Sequence, residues 1–329
     1  MRNLIIFFFI FLTINSFSQD DAKGKIFSTI FWNFNSDFAK NASKKNAFEI
    51  KRVYMGYDYN LDDKLSAKIT FDVGKNSSGS SYTAFLKTAQ IDWKLEKNVK
   101  LSFGMIGNKQ FKFQEKIWGY RYVYKTFQDE NKFGSSADIG VNAEFKLSNN
   151  LTFNAFILNG EGYKNLQDDD GYMKIGGNLI YEFSNGLSAK LYYDSEPGDE
   201  NFNVTNVGYF IGYSINKSRI GIEYNKINNA ESYNNPSLDS NLSGYSFYGS
   251  QKVGEKGEIY ARYDNLESNT LIGNSAPWNF NKDGKLLIFG YQTKLKDGFK
   301  LSFNYRNYKY LDKSKNNKSM FFINAEIKI

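Results

Sequence analysis

The amino-acid sequence predicts an all-β fold, a transmembrane antiparallel β-barrel of sixteen strands with short periplasmic turns and longer extracellular loops. The first observation is alternation: across residues 65–73 five apolar residues alternate with four polar ones, and the pattern recurs at 139–147 and 207–215. A period of two gives a strand one apolar face and one polar face. The second observation is that tight polar turns alternate with longer loops between these segments, which is typical of outer-membrane barrels.

The first eighteen residues are predicted to be a cleaved signal peptide. Arg2 supplies the positive charge, residues 4–12 are apolar without interruption, and Ser16 and Ser18 supply the small residues of a cleavage site. The apolar run is too short to cross a bilayer as a helix, and the alternative is a buried N-terminal strand. The mature chain, residues 19–329, is then a single barrel domain that begins at Gln19.

The composition excludes several kinds of catalytic and metal site. The chain contains neither Cys nor His, so disulfides, thiolate zinc sites, imidazole metal sites and His-based catalytic triads cannot form. We therefore expect no catalytic residues, no bound metal and no cofactor. The formal net charge of +7 is spread along the chain, whereas nucleic-acid binding requires a clustered basic surface. Nucleic acid is therefore not an expected partner.

Seven polar turns determine the predicted number of strands. Each turn is rich in Asn, Asp or Gly, which accept the positive φ of tight hairpins. The turns occupy residues 60–64, 96–98, 148–150, 184–186, 216–218, 254–257 and 296–298. One further strand is predicted near residues 26–34 and a last one near 320–329, and the even total of sixteen places both termini on the periplasmic side. The extracellular loops then fall near residues 35–47, 74–84, 107–136, 160–171, 196–203, 228–242, 267–284 and 311–318.

Alternation also assigns the two faces of each strand. In residues 187–194 the odd-numbered positions are expected to face lipid, whereas the even-numbered positions are expected to face the lumen. Charges of both signs at lumen-facing positions predict a weakly selective pore with a transverse electric field. The pore-wall candidates are Arg52, Lys68, Asp72, Asp92, Lys94, Asp138, Glu144, Lys190, Arg262, Asp264 and Arg306.

The third extracellular loop, residues 107–136, is the longest connection and carries many aromatic residues that could pack against a barrel wall. A sixteen-stranded barrel encloses a lumen too wide for its wall side chains to fill, so we expect this loop to fold inward and limit the pore. Its net charge of +3 would favour anions in a narrow passage. The alternative is a loop over the barrel rim, with its charges against water or lipopolysaccharide phosphates. The constriction candidates are Lys109, Lys112, Glu115, Lys116, Arg121, Lys125 and Asp129.

Several short segments, in order along the chain, resemble the phosphate-selective porin O and P family. They are residues 50–56 followed by Phe71-Asp72, 102–104 with 113–115, 137–141, 158–162 and 261–264. Residues 118–122 resemble porin-like members found in Bacteroidota. The resemblance implies a sixteen-stranded, trimeric diffusion porin. It does not carry phosphate selectivity over, because that selectivity relies on a ladder of arginines and a ring of lysines, and Arg121 is the only arginine of the third loop.

The sequence therefore favours a porin in the outer membrane of a Gram-negative bacterium, giving passive diffusion of small hydrophilic solutes with a weak anion preference. The alternative is a non-conducting barrel that serves adhesion or acts as a platform for a partner. Expected contacts are the lipid bilayer, lipopolysaccharide, inorganic anions and further copies of the chain in a homotrimer. Asp168, Asp169 and Asp170 could bind calcium, but they lack the spacing of an EF-hand, and a solvated loop is favoured.

Overall fold

The computed structural model describes residues 24–329, apart from 41, 43–44, 77–78, 170, 199–202 and 231–238. The predicted signal peptide, residues 1–18, and the mature start at Gln19 lie outside the described residues and stay predictions. Sixteen antiparallel strands pair in sequence order, and β1 (Gly24–Asp37) closes the sheet by pairing with β16 (Lys318–Lys328). The predicted sixteen-stranded closed barrel is confirmed.

Seven short hairpins join the strands at one end of the barrel, at the turns that the Asn, Asp and Gly pattern predicts. The remaining strands are β2 (Asn46–Asn60), β3 (Leu65–Lys75), β4 (Tyr82–Glu96), β5 (Val99–Gly107), β6 (Ala137–Lys146), β7 (Leu151–Leu158), β8 (Lys174–Glu182), β9 (Leu187–Pro197), β10 (Asn203–Ile215), β11 (Ser218–Asn228), β12 (Leu242–Val253), β13 (Gly257–Ser268), β14 (Gly284–Lys296) and β15 (Phe299–Tyr310). The chain thus rises and returns without a crossover, and every strand pairs with its sequence neighbours.

Longer connections join the strands at the other, extracellular end. These loops are L1 (38–45), L2 (76–81), L3 (108–136), L4 (159–173), L5 (198–202), L6 (229–241), L7 (269–283) and L8 (311–317). L3 contains two short helices, α1 (Lys112–Trp118) and α2 (Phe127–Glu130). Among the described residues no helix has the length and apolar character needed to cross a membrane.

Burial alternates along the strands as the apolar–polar pattern predicts. On β9, Lys190, Tyr192 and Asp194 are buried inside the barrel, whereas Leu191 and Tyr193 are exposed on its outer face. The exposed apolar side chains of all the strands form an outer belt, which is the surface that the bilayer covers. The buried side chains instead face a lumen that L3 occupies in part.

Candidate functional site

L3 lies inside the barrel because its aromatic residues pack against the inner wall. The Trp118 ring lies 5.3 Å from Tyr248 and 5.9 Å from Tyr260, and Tyr120 stacks on Tyr260 at 4.0 Å, all measured between ring centroids. Trp118 and Tyr120 are fully buried although they belong to a loop. Burial of large aromatic side chains supplies most of the free energy for such an arrangement. L3 is therefore fixed by a hydrophobic core inside the lumen.

A second hydrophobic cluster holds the later part of L3. Phe127 and Phe133 lie 5.5 Å apart between ring centroids and are both fully buried. They pack with the wall residues Val204, Ile227 and Leu242, among others. Since the first cluster includes Trp118 of α1 and the second includes Phe127 of α2, L3 is held along most of its length and not only at its ends.

Two wall arginines bind the backbone of L3. Arg262 donates a hydrogen bond of 2.6 Å to the carbonyl oxygen of Lys125, and two of 2.8 Å to Asp264. Arg306 donates to the carbonyl oxygen of Val123 at 2.9 Å. Charge-assisted hydrogen bonds are stronger than neutral ones. The two guanidinium groups thus fix the segment that follows α1.

Lys190 binds the opposite end of L3. Its Nζ atom donates to the carbonyl oxygen of Lys109 at 2.9 Å and to the side chain of Gln114 at 3.1 Å, and it also contacts the carbonyl of Gln110. The hydroxyl of Tyr248 donates to the carbonyl oxygen of Gln114 at 3.2 Å. Hydrogen bonds from the wall therefore hold the beginning of L3 as well as its middle.

These contacts correct part of the sequence interpretation. Lys190, Arg262, Asp264 and Arg306 lie on the lumen face of their strands, as alternation predicts, but L3 covers them. The prediction that they line the open pore is therefore wrong for Lys190, Arg262 and Asp264, which act as anchors for the loop. Arg306 binds L3 and also lines the open cavity on the extracellular side of the loop, as predicted. Strand alternation assigns a residue to a face and carries no information on what packs over that face.

Local sequence explains how L3 turns inside the barrel. In α1, Gln114, Ile117 and Trp118 recur at helical spacing and form the face buried against the wall. The helix ends at Gly119, whose φ of 74° lies in the left-handed region that favours glycine. A Cβ atom at this position would lie only 1.8 Å from a guanidinium nitrogen of Arg219. Gly119 is therefore needed for the turn, and the end of the Arg219 side chain occupies the space beside it.

A cavity of about 440 Å³ remains between L3 and the wall formed by β2, β3 and β4. We call it the constriction. Five cationic side chains and two carboxylates line it, which gives a net charge of +3 at neutral pH. The charged lining residues are Lys68, Lys87, Lys109, Lys112, Arg121, Glu115 and Asp129. Charges of both signs therefore face a narrow passage, with positive charge in excess.

Arg121 is the centre of the charge network on the L3 side of the constriction. Its guanidinium lies 3.2 Å from Glu115 and 3.3 Å from Asp129, and it donates to the hydroxyl of Tyr54 on the wall at 3.3 Å. Lys125 binds Asp129 from the other side at 3.0 Å. Burial acts to raise the pKa of Asp129, but Arg121 and Lys125 outweigh it and hold that pKa below its usual value. Asp129 is therefore a permanent negative charge at neutral pH.

Lys87 is the corresponding cation on the wall side, and the sequence interpretation missed it. Its Nζ atom lies 4.9 Å from the ring centroids of both Tyr54 and Tyr163 and donates to Ser136 at 2.9 Å. The nearest carboxylate oxygen, on Asp72, is 4.0 Å away. Lys87 therefore lies between two aromatic rings at the constriction, which is a favourable site for a cation.

Asp72 is already occupied by two other partners. Arg52 lies 2.8 Å from one of its oxygen atoms, and the hydroxyl of Tyr163 in L4 donates to the same oxygen at 2.5 Å. Arg52 and Asp72 are pore-wall candidates that the structure brings together as an ion pair. The charges of Arg52 and Asp72 cancel locally. Because Lys87 lies farther from Asp72 than Arg52 does, Lys87 is the dominant charge of this part of the wall.

Two β-bulges explain why two lumen lysines were missed. The pairing of β1 with β2 shifts between Phe31 and Trp32, which leaves Lys51 without a partner residue. The pairing of β3 with β4 shifts between Thr70 and Phe71, which leaves Lys87 without one. A bulge inserts one residue and re-aims its side chain, so each lysine breaks strict alternation. The sequence signal is a pair of consecutive polar residues, Lys51-Arg52 and Lys87-Thr88, inside an alternating segment.

The remaining pore-wall candidates lie at several heights in the barrel. Lys68 pairs with Asp58 at 2.8 Å and lines the constriction. Glu144 lies 3.5 Å from Lys109 of L3, and Asp92 accepts two hydrogen bonds from Gln90, at 2.8 and 2.9 Å.

Two candidates lie away from the constriction. Lys94 donates to the carbonyl oxygen of Asp63 at 3.1 Å, beside a periplasmic turn. Asp138 is buried, and it accepts hydrogen bonds from the backbone amides of Ile139 and Gly160 at 2.8 and 3.1 Å. Asp138 therefore fixes the start of L4 and does not line the constriction.

Two constriction candidates also need correction. Lys116 is exposed on α1 but is not among the residues that line the constriction. Lys125 lines a second cavity on the extracellular side instead. Lys125 belongs to the segment between α1 and α2, where Arg262 and Arg306 hold the main chain against the wall beside the second cavity. Lys112 and Glu115, three residues apart, do meet at the constriction, where they lie 3.5 Å from each other.

The structure gives no metal centre in support of the acidic loop. Among the described residues, no group of three acidic side chains is arranged to hold a metal ion. Asp170 lies outside the described residues, so calcium binding by Asp168, Asp169 and Asp170 stays a prediction.

Comparison with protein families identifies the kind of barrel. Residues 29–112 match the family model of the phosphate-selective porins O and P, a stretch that runs from β1 to the start of α1. The chain is an outer-membrane porin similar to that family. No curated protein matches the sequence. The predicted assignment to porins and to the outer membrane is confirmed, whereas the Bacteroidota lineage stays a prediction.

The fold of this porin also resembles solved structures. It is similar to OmpF of Salmonella typhi in complex with daunomycin (TM-score 0.68, 11% identity), to the anion-selective porin from Comamonas acidovorans (0.64, 12%) and to OmpT of Vibrio cholerae in its trimer form (0.61, 15%). The alignments each cover 93% of this chain and 97%, 99% and 99% of the other chains, respectively. At these identities the likeness shows the fold.

Proposed function

We propose that this porin gives passive diffusion of small hydrophilic solutes and prefers anions weakly. The observation that carries the proposal is the constriction, a cavity of about 440 Å³ lined by five cationic side chains and two carboxylates. Fixed charge beside a narrow passage raises the local concentration of ions of the opposite sign. The solved anion-selective porin of similar fold supports this preference. The family match and the fold favour a channel over an enzyme.

The preference is expected to be weak because most of the charges are paired. Arg121 has carboxylate oxygens at 3.2 and 3.3 Å, and Arg52 has one at 2.8 Å. Bidentate recognition of phosphate needs a guanidinium with free donors, and both arginines beside the constriction are already engaged. We therefore expect phosphate to pass without blocking the chloride current, which the same recordings would measure.

Planar-bilayer recording tests the proposal directly. The purified protein should produce discrete conductance steps, and the reversal potential in a KCl gradient should show more permeation by chloride than by potassium. A unit charge about 5 Å from the path of an ion contributes about 0.8 kcal/mol at the dielectric of water. This contribution has opposite signs for the two ions, so Lys87→Gln should lower the chloride-to-potassium permeability ratio severalfold at low salt.

The matched control is Lys116→Gln, which removes the same charge from a residue of L3 that does not line the constriction. It should change the ratio much less than Lys87→Gln, and Arg121→Glu should shift it toward potassium. If neither constriction variant changes the reversal potential of open channels, selectivity is not set at this cavity. A wild-type protein that inserts without conductance steps would overturn the porin function and favour a barrel for adhesion or partner binding.

We further propose that the porin assembles as a homotrimer in the outer membrane. The support is an outer belt of exposed apolar side chains that neighbouring copies can share with lipid, together with the trimer form of OmpT from Vibrio cholerae. Chemical cross-linking in mild detergent should give a ladder that ends at three copies. A ladder with no species beyond the monomer would overturn the trimer.

A further inference from the structure

A second cavity, of about 450 Å³, lies on the extracellular side of the constriction. We call it the vestibule, and its wall is formed by L3 and by strands β1, β2, β15 and β16. Tyr310 ends β15 and Lys318 begins β16, so the vestibule reaches the extracellular end of the barrel. Arg121 lines both cavities. A solute that enters from outside therefore meets the vestibule first and the constriction next.

One side of the vestibule carries a row of tyrosine rings. Tyr310 stacks on Tyr308 with 6.5 Å between ring centroids and 13° between ring planes, and Tyr308 meets Tyr124 of L3 at 6.4 Å. All three line the cavity and are partly exposed to it. The row runs from the rim of the barrel toward L3. Partly exposed aromatic rings in a water-filled cavity bind planar ligands by stacking.

Lys51 supplies an available cation in the same cavity. It is the extra residue of the bulge in β2, and it lines the vestibule. Within the described part of the chain its Nζ atom has no hydrogen bond and no carboxylate within 4.0 Å, whereas Arg52 beside it is paired with Asp72. An unpaired ammonium in a partly enclosed site is ready to bind a carboxylate.

The other charges of the vestibule leave this cation in excess. Glu49 binds Lys75 at 3.1 Å, and Asp37 accepts the backbone amide of Ala39 at 3.0 Å. Lys318 and Glu130 have opposite charges and both line the cavity. Four further cations line the cavity and are engaged: Arg52 pairs with Asp72, Arg121 and Lys125 pair with Asp129, and Arg306 donates to Asn304 and to the carbonyl of Val123. The vestibule is therefore positive overall, and the ligand that fits both the tyrosine row and Lys51 is planar and carries a negative charge.

We propose that the vestibule is a binding site for small aromatic carboxylates, which bind with the ring against Tyr308 and the carboxylate on Lys51 before they reach the constriction. This inference rests on the proposed porin function and adds a class of solute to it. A cavity of this size holds a one-ring ligand with room for water. Binding here raises the concentration of the solute at the constriction without any change in the structure of L3.

The test is single-channel recording with benzoate added on the extracellular side. Benzoate should interrupt the chloride current for longer than cyclohexanecarboxylate, which has the same charge but no aromatic ring, and longer than benzyl alcohol, which has the ring without the charge. Lys51→Gln and Tyr308→Leu should each shorten the benzoate interruptions by about tenfold, the effect of one lost charge-assisted or stacking contact.

Matched control variants lie on the outer face of β15. Lys309→Gln and Tyr305→Leu make the same chemical changes at residues exposed outside the lumen, and the benzoate interruptions should be unchanged. The chloride conductance of these two control variants should equal that of the wild type, which shows that substitutions on β15 leave the pore open. Tyr310→Leu provides a second test of the tyrosine row away from L3.

The outcomes separate this inference from the porin function. Normal chloride conductance with equal interruptions by benzoate and cyclohexanecarboxylate would overturn the aromatic site and leave the porin intact. Interruptions by neutral sugars as long as those by benzoate would also overturn it, in favour of a carbohydrate site. Loss of all conductance in the wild-type protein would instead remove the porin function.

Discussion

Replacement of Arg262 by methionine should release the middle of L3 from the barrel wall. The Arg262 side chain is completely buried, it binds Asp264 twice at 2.8 Å, and it donates to the carbonyl oxygen of Lys125 at 2.6 Å. Its guanidinium carbon also lies 5.1 Å from the centroid of the Trp118 ring. Methionine keeps much of the apolar contact with that ring but removes the charge and all three hydrogen bonds.

The expected loss follows from what the substitution leaves behind. Asp264 stays buried without its partner, and removal of one member of a buried ion pair costs about 3–5 kcal/mol. The lost bond to the Lys125 carbonyl contributes about 1.5–3 kcal/mol by itself, but the two contributions share one side chain and do not add. We therefore expect the free energy of unfolding to fall by about 3–5 kcal/mol.

The measurement is equilibrium unfolding from lipid vesicles, followed by tryptophan fluorescence. Lys68→Met is the matched control, because Lys68 pairs with Asp58 at the same 2.8 Å but the two side chains are 40% and 48% exposed. An accessible ion pair is worth about 1 kcal/mol or less. The double variant Arg262→Met with Asp264→Leu removes the stranded carboxylate and should be more stable than Arg262→Met alone.

Single-channel recording adds a functional measurement for Arg262→Met. A loosened L3 should give a larger and noisier conductance than the wild type. Equal stability losses in Arg262→Met and Lys68→Met, together with unchanged conductance of Arg262→Met, would refute the role of Arg262 as the anchor of L3.

Three other substitutions test the membrane face and the charge network. Ile69→Arg places a charge in the outer apolar belt, where Ile69 is 45% exposed, and should cost about 2–4 kcal/mol of barrel stability, whereas Thr70→Arg in the lumen should cost far less; equal yields of folded barrel would contradict the assignment of faces. Because the pKa of Asp129 is held below 3.8, its ion pairs stabilise L3 above that pH and are lost only as the pH falls through the lowered pKa. Asp129→Asn should therefore raise chloride preference by the same factor at about pH 7 and about pH 5, and a difference from the wild type that disappears at the lower pH would show that Asp129 is protonated there.

The barrel could be predicted because its determinants are local in sequence. Turn residues such as those at 184–186 mark hairpins wherever they occur, and a period of two assigns faces without knowledge of the neighbouring strands. The observed β8 and β9 end and begin beside that turn. Membrane barrels suit this reasoning well, since closure allows each strand only one arrangement with its sequence neighbours.

The constriction could be predicted only in outline, because its determinants are tertiary. The sequence predicts that Arg262 is a charge facing the lumen. Only the path of L3 in the structure shows that it binds the Lys125 carbonyl. Lys51 and Lys87 were not predicted to face the lumen, because a bulge at each of them shifts the alternation on which the prediction rests. The inward path of L3 itself depends on the packing of Trp118 against wall tyrosines, and the alternation of apolar and polar residues does not predict that packing.

The wall residues that hold L3 bind mainly its main-chain oxygen atoms. Lys190 binds the carbonyl of Lys109, Arg306 that of Val123 and Arg262 that of Lys125, so these contacts do not depend on which side chains L3 carries. Residues of L3 that face the passage are therefore free to vary during evolution while the loop keeps its path. Related barrels that keep these wall cations can differ in the ions they favour. The side chains of L3 that face the passage can also be exchanged by design without a change in the barrel wall.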